Sequence, residues 1–131
     1  MFSETIRIRW RDLDALGHVN NAVYLTYLEE LLNHWLEPTL GEAWVTARTE
    51  LDFRAELRLA DGEVAGTVWP ERLGTTSLTA GVRLERSDGV VALEGSVVLV
   101  AWDPESRRPR KLTEPERAAL TPSVHTQPAD G

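Results

Sequence analysis

The sequence predicts an α+β domain in which one long helix is enclosed by an antiparallel sheet. Two patterns carry that reading. Apolar side chains recur at spacings of three and four between residues 22 and 36, and beyond residue 44 the chain alternates with period two between turn signals.

Residues 5–11 alternate first, with Ile6, Ile8 and Trp10 against Arg7, Arg9 and Arg11, which predicts a strand with one buried face. Residues 12–19 have no period and contain Gly17, so they read as a loop leading to Asn20 and Asn21, both good helix N-cap types. In the helix that follows, Tyr24, Tyr27, Leu28, Leu31, Leu32 and Trp35 make a wide apolar surface. Thr26, Glu29, Glu30, Asn33 and Glu37 make a narrower polar stripe, so the helix should be largely enclosed. Pro38 ends it.

Val45, Ala47, Thr49, Leu51 and Phe53 then mark a second strand, and Asp61-Gly62 a turn. Residues 63–69 and 77–86 read as two more strands, and Ser87-Asp88-Gly89 closes a hairpin. Residues 90–102 form the longest strand candidate. It is apolar on both faces over 97–101, which predicts a central place with a strand on either side. Thr113 and Glu116 make a capping box for a short helix to about Leu120. A chain of 131 residues fits a single domain, assigned to residues 1–121, with the polar, Pro-containing residues 122–131 as a flexible tail.

Composition narrows the function classes. A net charge of −7 argues against a general nucleic-acid binder, and apolar runs as short as 97–102 predict no membrane span. Without cysteine there are no disulfides and no thiolate metal sites; since Met1-Phe2-Ser3-Glu4 also lacks a leader pattern, a cytoplasmic location is expected. His18, His34 and His125 lie too far apart in sequence for a metal-ligand pattern, and no Gly-x-Ser-x-Gly elbow is present.

The informative segment runs from Trp10 to Tyr24 and contains Asp12-Leu13-Asp14-Ala15-Leu16-Gly17-His18-Val19-Asn20-Asn21. The first-turn N–H groups of a helix have no partner within it, so the helix start can polarise a carbonyl, and an aspartate in the preceding loop can attack that carbonyl or activate water. From spacing alone, Asp12 and Asp14 serve as well as turn residues, with Asn20 or Asn21 as an ordinary cap.

This segment resembles the thioesterase superfamily typified by 4-hydroxybenzoyl-CoA thioesterase and bacterial long-chain acyl-CoA thioesterases. The match is closest to the branch with Asp-x-Asp-x-x-Gly-His-Val-Asn-Asn and an aromatic residue three further on, here Tyr24. Gly74-Thr75-Thr76-Ser77-Leu78 and the long last strand extend the resemblance more loosely to about Leu112. The resemblance implies a hotdog fold, a five-stranded antiparallel sheet wrapped around the long helix. It also implies acyl-CoA held where two subunits join their sheets, in a homodimer or a homotetramer made of two dimers. The activity it implies is hydrolysis of acyl-CoA to free acid and CoA without a cofactor. The second aspartate of the motif, Asp14, would be nucleophile or general base; backbone N–H groups at Asn21, with Ala22 beside it, would polarise the carbonyl.

Around that centre, His18 is a candidate orienting residue, and Asn20, Tyr24 and Ser77 are candidate pocket residues. Arg107, Arg108, Arg110 and Lys111, the dense basic cluster of an acidic chain, match the phosphates of CoA in charge, although a charged turn after a strand is as often simply solvated. Arg54 and Arg58 are further candidates. After Phe53 the chain departs from the family pattern, with Glu56 following and Ala60-Asp61 where relatives carry Gly-Asp, which bears on substrate preference. Two other functions fit the same fold: a non-catalytic acyl-CoA binder, and a dehydratase or hydratase that leaves the thioester intact.

Overall fold

The computed structural model describes residues 1–122, so the tail expected over 122–131, with His125 in it, lies outside the described residues except for Pro122. Five long strands and one short one form a single antiparallel sheet: β1 (Phe2–Arg7), β2 (Trp44–Phe53), β3 (Glu63–Leu73), β4 (Ser77–Arg86), β5 (Val91–Asp103) and the two-residue β6 (Arg108–Pro109). Their order is β1-β3-β4-β5-β2, with β6 on the end of β5. The long helix α1 (Asn21–Leu36) lies against β3 and β1, and a short α2 (Glu114–Leu120) follows the sheet. This is the hotdog arrangement, and β5 stands between β4 and β2 as its apolar run predicts.

The core follows the periodicities. Tyr24, Tyr27, Leu28, Leu31, Leu32 and Leu36 of α1 are buried against Val64 and Val68 of β3 and the inward residues Leu78, Ala80, Val82 and Leu84 of β4. Each fully buried leucine contributes about 2 kcal/mol of transfer free energy, enough to hold a helix that would be marginal alone.

Three elements differ from the sequence expectation, the simplest being β3, which continues past 69 to Leu73 with a register shift between Pro70 and Arg72. The first strand stops at Arg7 rather than continuing to Arg11: Ile6 and Ile8 are buried, but Trp10 sits in a 3₁₀ turn (Trp10–Asp12), 78% exposed. The turn forms because the Asp12 carboxylate accepts the Arg9 backbone N–H at 2.9 Å, pulling the chain out of extended geometry. The second strand has the expected bounds within a residue but not a buried face. Its Val45 and Phe53 are exposed, and the register shifts between Thr46 and Arg48, so the alternation is broken at Ala47. Its position explains the exposure. β2 ends the sheet on the side away from the helix, so only Trp44 and Leu51 pack against the core, and a groove of about 190 Å³ opens between Leu25, Leu28 and Leu32 of α1 and Thr46 and Thr49 of β2.

β2 is held by its ladder to β5, in which Leu51 opposes Gly95. A Cβ at Gly95 would lie 2.0 Å from the Glu50 carbonyl oxygen, which is backbone and has no rotamer to yield with. Gly95→Ala should therefore cost more than about 2 kcal/mol in urea unfolding, with amide-exchange protection lost in β2 before the rest of the sheet. A variant within about 0.5 kcal/mol of the parent would contradict the close approach.

Candidate functional site

The loop between the 3₁₀ turn and α1 is built around one buried charge. Asp12 is 5% exposed, and its carboxylate accepts from the Tyr27 hydroxyl at 2.5 Å, the Arg9 backbone N–H at 2.9 Å and Arg9 Nε at 3.4 Å. Burial by itself raises this carboxyl, but the hydrogen bonds from Tyr27 and Arg9 outweigh it and hold the group below the ordinary carboxylate value. Burial, and then the bond to Asp12, push the Tyr27 hydroxyl upward. The Asp12 backbone carbonyl in turn accepts the Asn20 N–H at 3.0 Å, so the same residue sets both ends of the loop.

Between those ends the chain makes a tight reversal. Gly17 N–H donates to the Asp14 carbonyl at 3.1 Å with φ of 84° at Gly17, and Asp14 N–H donates to the His18 carbonyl at 3.0 Å. Val19 N–H donates to the Leu57 carbonyl at 2.7 Å, binding the loop to the segment after β2. The Asp14 carboxylate accepts the Leu16 N–H at 2.9 Å and lies 3.4 Å from His18 Nδ1, with both side chains about one quarter exposed.

At the helix start, Asn20 is the N-cap. Its side chain accepts the Ala22 N–H at 2.9 Å and its carbonyl the Val23 N–H at 2.9 Å, whereas the Asn21 N–H has no partner among the described residues. The free donor is thus at Asn21 and not at Ala22. Asn21, His18 and Tyr24 line a cavity of about 360 Å³ with Phe53, Arg54, Ala55 and Glu56. The Phe53 ring stacks on Tyr24 at 5.3 Å, and the Tyr24 hydroxyl donates to the Ala55 carbonyl at 3.2 Å, so this tyrosine offers the cavity a ring face. Arg54 is engaged by Glu94 at 2.7 Å and Asp52 at 3.5 Å.

Of the motif residues, His18, Asn21 and Tyr24 line the cavity at the helix start and Asn20 caps the helix, while Asp14 touches His18 at 3.4 Å and is not itself among the lining residues. Of the others, Arg54 lines the same cavity and Arg58 pairs with His18 in an isolated antiparallel bridge, whereas Ser77 and the basic turn lie elsewhere. Phe53, at the cavity, opposes Leu93, whereas Ser77 opposes Val100 and Arg108 opposes Asp103, both toward the far end of β5. Arg110 is taken up by a two-pronged pair with Glu116 at 2.9 and 2.8 Å. Among the described residues no group of three His, Cys, Asp or Glu side chains is placed to hold a metal ion. Sequence reasoning missed Asp12 as the loop's anchor and Phe53 as a wall. The signal for Asp12 was present in the paired apolar position Tyr27, whose hydroxyl needs a partner when buried.

Tyr27→Phe should lower the unfolding free energy by about 1.5–3 kcal/mol at neutral pH, because a buried carboxylate loses a charge-assisted donor. Since the folded-state value of Asp12 is depressed, this contribution is complete above the ordinary value of 3.8 and fades as pH falls through the folded value. Urea unfolding of parent and variant at pH 7 and pH 3 should show the difference narrowing in acid.

The sequence profile of the thioesterase superfamily matches residues 16–93. Among solved structures, a thioesterase from Thermus thermophilus complexed with coenzyme A and zinc is 34% identical, with 90% of this chain and 90% of that one aligned at a TM-score of 0.78. A candidate acyl-CoA thioesterase from Xanthomonas campestris is 33% identical over 84% of this chain and 97% of its own, at 0.72. The PA2801 protein of Pseudomonas aeruginosa, a candidate thioesterase, is 29% identical over 91% and 97%, at 0.80. No curated protein matches the chain in sequence.

Proposed function

This chain belongs to the thioesterase superfamily, and from that premise we propose that it hydrolyses the thioester of an acyl-CoA to a free carboxylic acid and CoA. The observation that carries the reading is the partnerless Asn21 N–H at the mouth of a cavity, with the Asp14 carboxylate in the loop just before it. In this reading the carbonyl oxygen lies against the Asn21 N–H, which takes up the negative charge that grows there as the carbon is attacked. Asp14 takes a proton from the attacking water. The C–S bond then breaks, the electron pair leaves on sulfur, and the proton on Asp14 passes to the departing thiolate. Direct attack by Asp14, followed by hydrolysis of the resulting anhydride, uses the same carboxylate and gives the same products. His18, which lines the cavity and lies 3.4 Å from Asp14, links that carboxylate to the cavity wall, and in this reading the Asp14 side chain swings in beside it when substrate binds, with the Tyr24 and Phe53 rings as an apolar wall beside the thioester.

The reading extends to assembly. β2 is a ten-residue edge strand, exposed along most of both faces, and a bare edge of that length pairs readily with another. Antiparallel pairing with a second copy, with the two-fold axis at Thr49, sets Arg48 opposite the partner's Glu50 and Glu50 opposite the partner's Arg48. Moving the axis to Arg48 or Glu50 sets like charges against each other. The unit is then a homodimer, or a homotetramer of two such dimers.

Thiol release from a panel of CoA esters, from acetyl to long-chain and aryl, tests the activity. Asp14→Asn should reduce turnover at least about 100-fold while leaving the urea midpoint in place. Turnover equal to the parent's, or a product that retains its thioester, would sink the assignment. The assembly is tested by charge exchange: Arg48→Glu should shift sedimentation toward monomer, and adding Glu50→Arg to it should restore the dimer.

A further inference from the structure

The cavity at the helix start carries one carboxylate whose charge is left nearly unmatched. His18 aside, the titratable acids and bases that line it are Arg54 and Glu56, and they differ in what they already hold. Arg54 is engaged by Glu94 at 2.7 Å and Asp52 at 3.5 Å, two acids for one base. Glu56 meets a single base, Arg58, whose Nε is 3.6 Å away. Both of those side chains are more than half exposed, so the pair does little to cancel the charge. Arg86, whose Nη1 donates to the Glu56 carbonyl at 3.4 Å, spends its own charge on the two oxygens of Asp88 at 3.1 and 2.6 Å.

The backbone holds Glu56 at that wall. The Arg54 and Ala55 N–H groups both donate to the Ala92 carbonyl, at 2.8 and 3.2 Å, and the Tyr24 hydroxyl donates to the Ala55 carbonyl at 3.2 Å. On the other side the Leu57 carbonyl accepts the Val19 N–H at 2.7 Å, and the Leu57 side chain is fully buried. The charge is felt inside the cavity. Burial first, and the charges of Glu56 and Asp61 with it, push the Tyr24 hydroxyl up from its ordinary value, while a backbone hydrogen bond and Arg86 oppose them. Phe53 stacks on Tyr24 with ring centroids 5.3 Å apart and stays nearly half exposed, so the cavity also offers an aromatic face. An aromatic face and an unmatched carboxylate in one cavity together suit a cation.

The cavity of about 360 Å³ has room for roughly a dozen groups the size of a water molecule and, taken as round, is about 9 Å across. With the thioester carbonyl at Asn21, the first few acyl carbons lie within about that distance of Glu56. At an effective dielectric constant of about 20, two unit charges about 9 Å apart change binding by a little more than tenfold. The phosphates of CoA are held about 15 Å from the sulfur by the pantetheine arm, beyond the ~10 Å over which salt leaves charges in contact, and they are the same in every ester. The acyl group is therefore the part of the substrate whose charge Glu56 can read. Glu56 also stands where the chain leaves the family pattern after Phe53.

We propose that Glu56 selects the acyl group by charge: the cavity takes acyl groups that carry a positive charge a few carbons from the thioester ahead of neutral ones, and refuses those that carry a carboxylate there. This rests on the acyl-CoA reading above and deepens it by naming the class of acyl group.

Two pairs of esters of matched shape test it. One sets 4-trimethylammoniobutanoyl-CoA against its neutral isostere 5,5-dimethylhexanoyl-CoA; the other sets glutaryl-CoA against neutral 4-nitrobutanoyl-CoA. In the parent, kcat/KM should favour the cation over its isostere about tenfold and disfavour the carboxylate about tenfold. Glu56→Gln should bring both ratios to within about threefold of one, and Glu56→Lys should invert them. Each ratio is read within one protein, so a general loss of activity or stability in a variant does not move it. Parent ratios near one, or ratios that survive Glu56→Gln, overturn the proposal. If the parent releases thiol from none of the four, calorimetric titration with CoA thioethers bearing the same four chain ends decides. Tighter binding of the cationic thioether that Glu56→Gln abolishes upholds the proposal, and equal binding of the matched pairs ends it. Thiol release from no ester at all sinks the hydrolase reading separately and leaves the titration standing.

Discussion

A carboxylate cut off from water must be given hydrogen bonds, and in this chain Asp12 receives them from a tyrosine hydroxyl, a backbone amide and a guanidinium. The rest of the loop follows from that requirement. The amide comes from Arg9 and turns the chain out of β1; the hydroxyl comes from Tyr27, nearly two turns into α1; and the Asp12 carbonyl catches Asn20, where the helix begins. Strand end, loop and helix start are thereby fixed to one atom group. Asp14 and His18 are carried between those fixed points, and Asn21 follows at once, so the candidate residues sit on backbone tied at both ends.

The second governing feature is the lateral offset of the helix. Because α1 lies over β3 and β1, much of β2 and the flank of the helix bearing Leu25 stay uncovered. An isolated subunit would leave apolar area and an unused row of backbone donors and acceptors in water.

Most of the fold was legible in the sequence because its signals are local. The helix surface, the glycine turns at Gly62 and Gly89 and the Thr113 capping box each depend on residues a few positions apart, and each stands where the pattern placed it. What was not legible depends on the arrangement of elements. The exposure of Val45 and Phe53 follows from the position of β2 in the sheet, which its alternation does not encode. Trp10 continues the alternation of Ile6 and Ile8 but leaves the strand because a carboxylate two residues later takes the Arg9 amide. The site divides in the same way. Asp14 and His18 share one loop that leads directly to Asn21, and their nearness could be read from spacing; the distance of Ser77 and Arg108 from that loop follows only from strand register.

The strand order also implies a sequence of assembly. β3, β4 and β5 are consecutive hairpin neighbours, so their pairings close short loops at little entropic cost. β1 must find β3 across some 60 residues, and β2 must find β5 across about 40 to 57. The meander is the natural nucleus, and the flanking strands dock onto it. The cavity, walled by the end of β2 and the first turn of α1, therefore takes shape only once β2 has docked onto that meander.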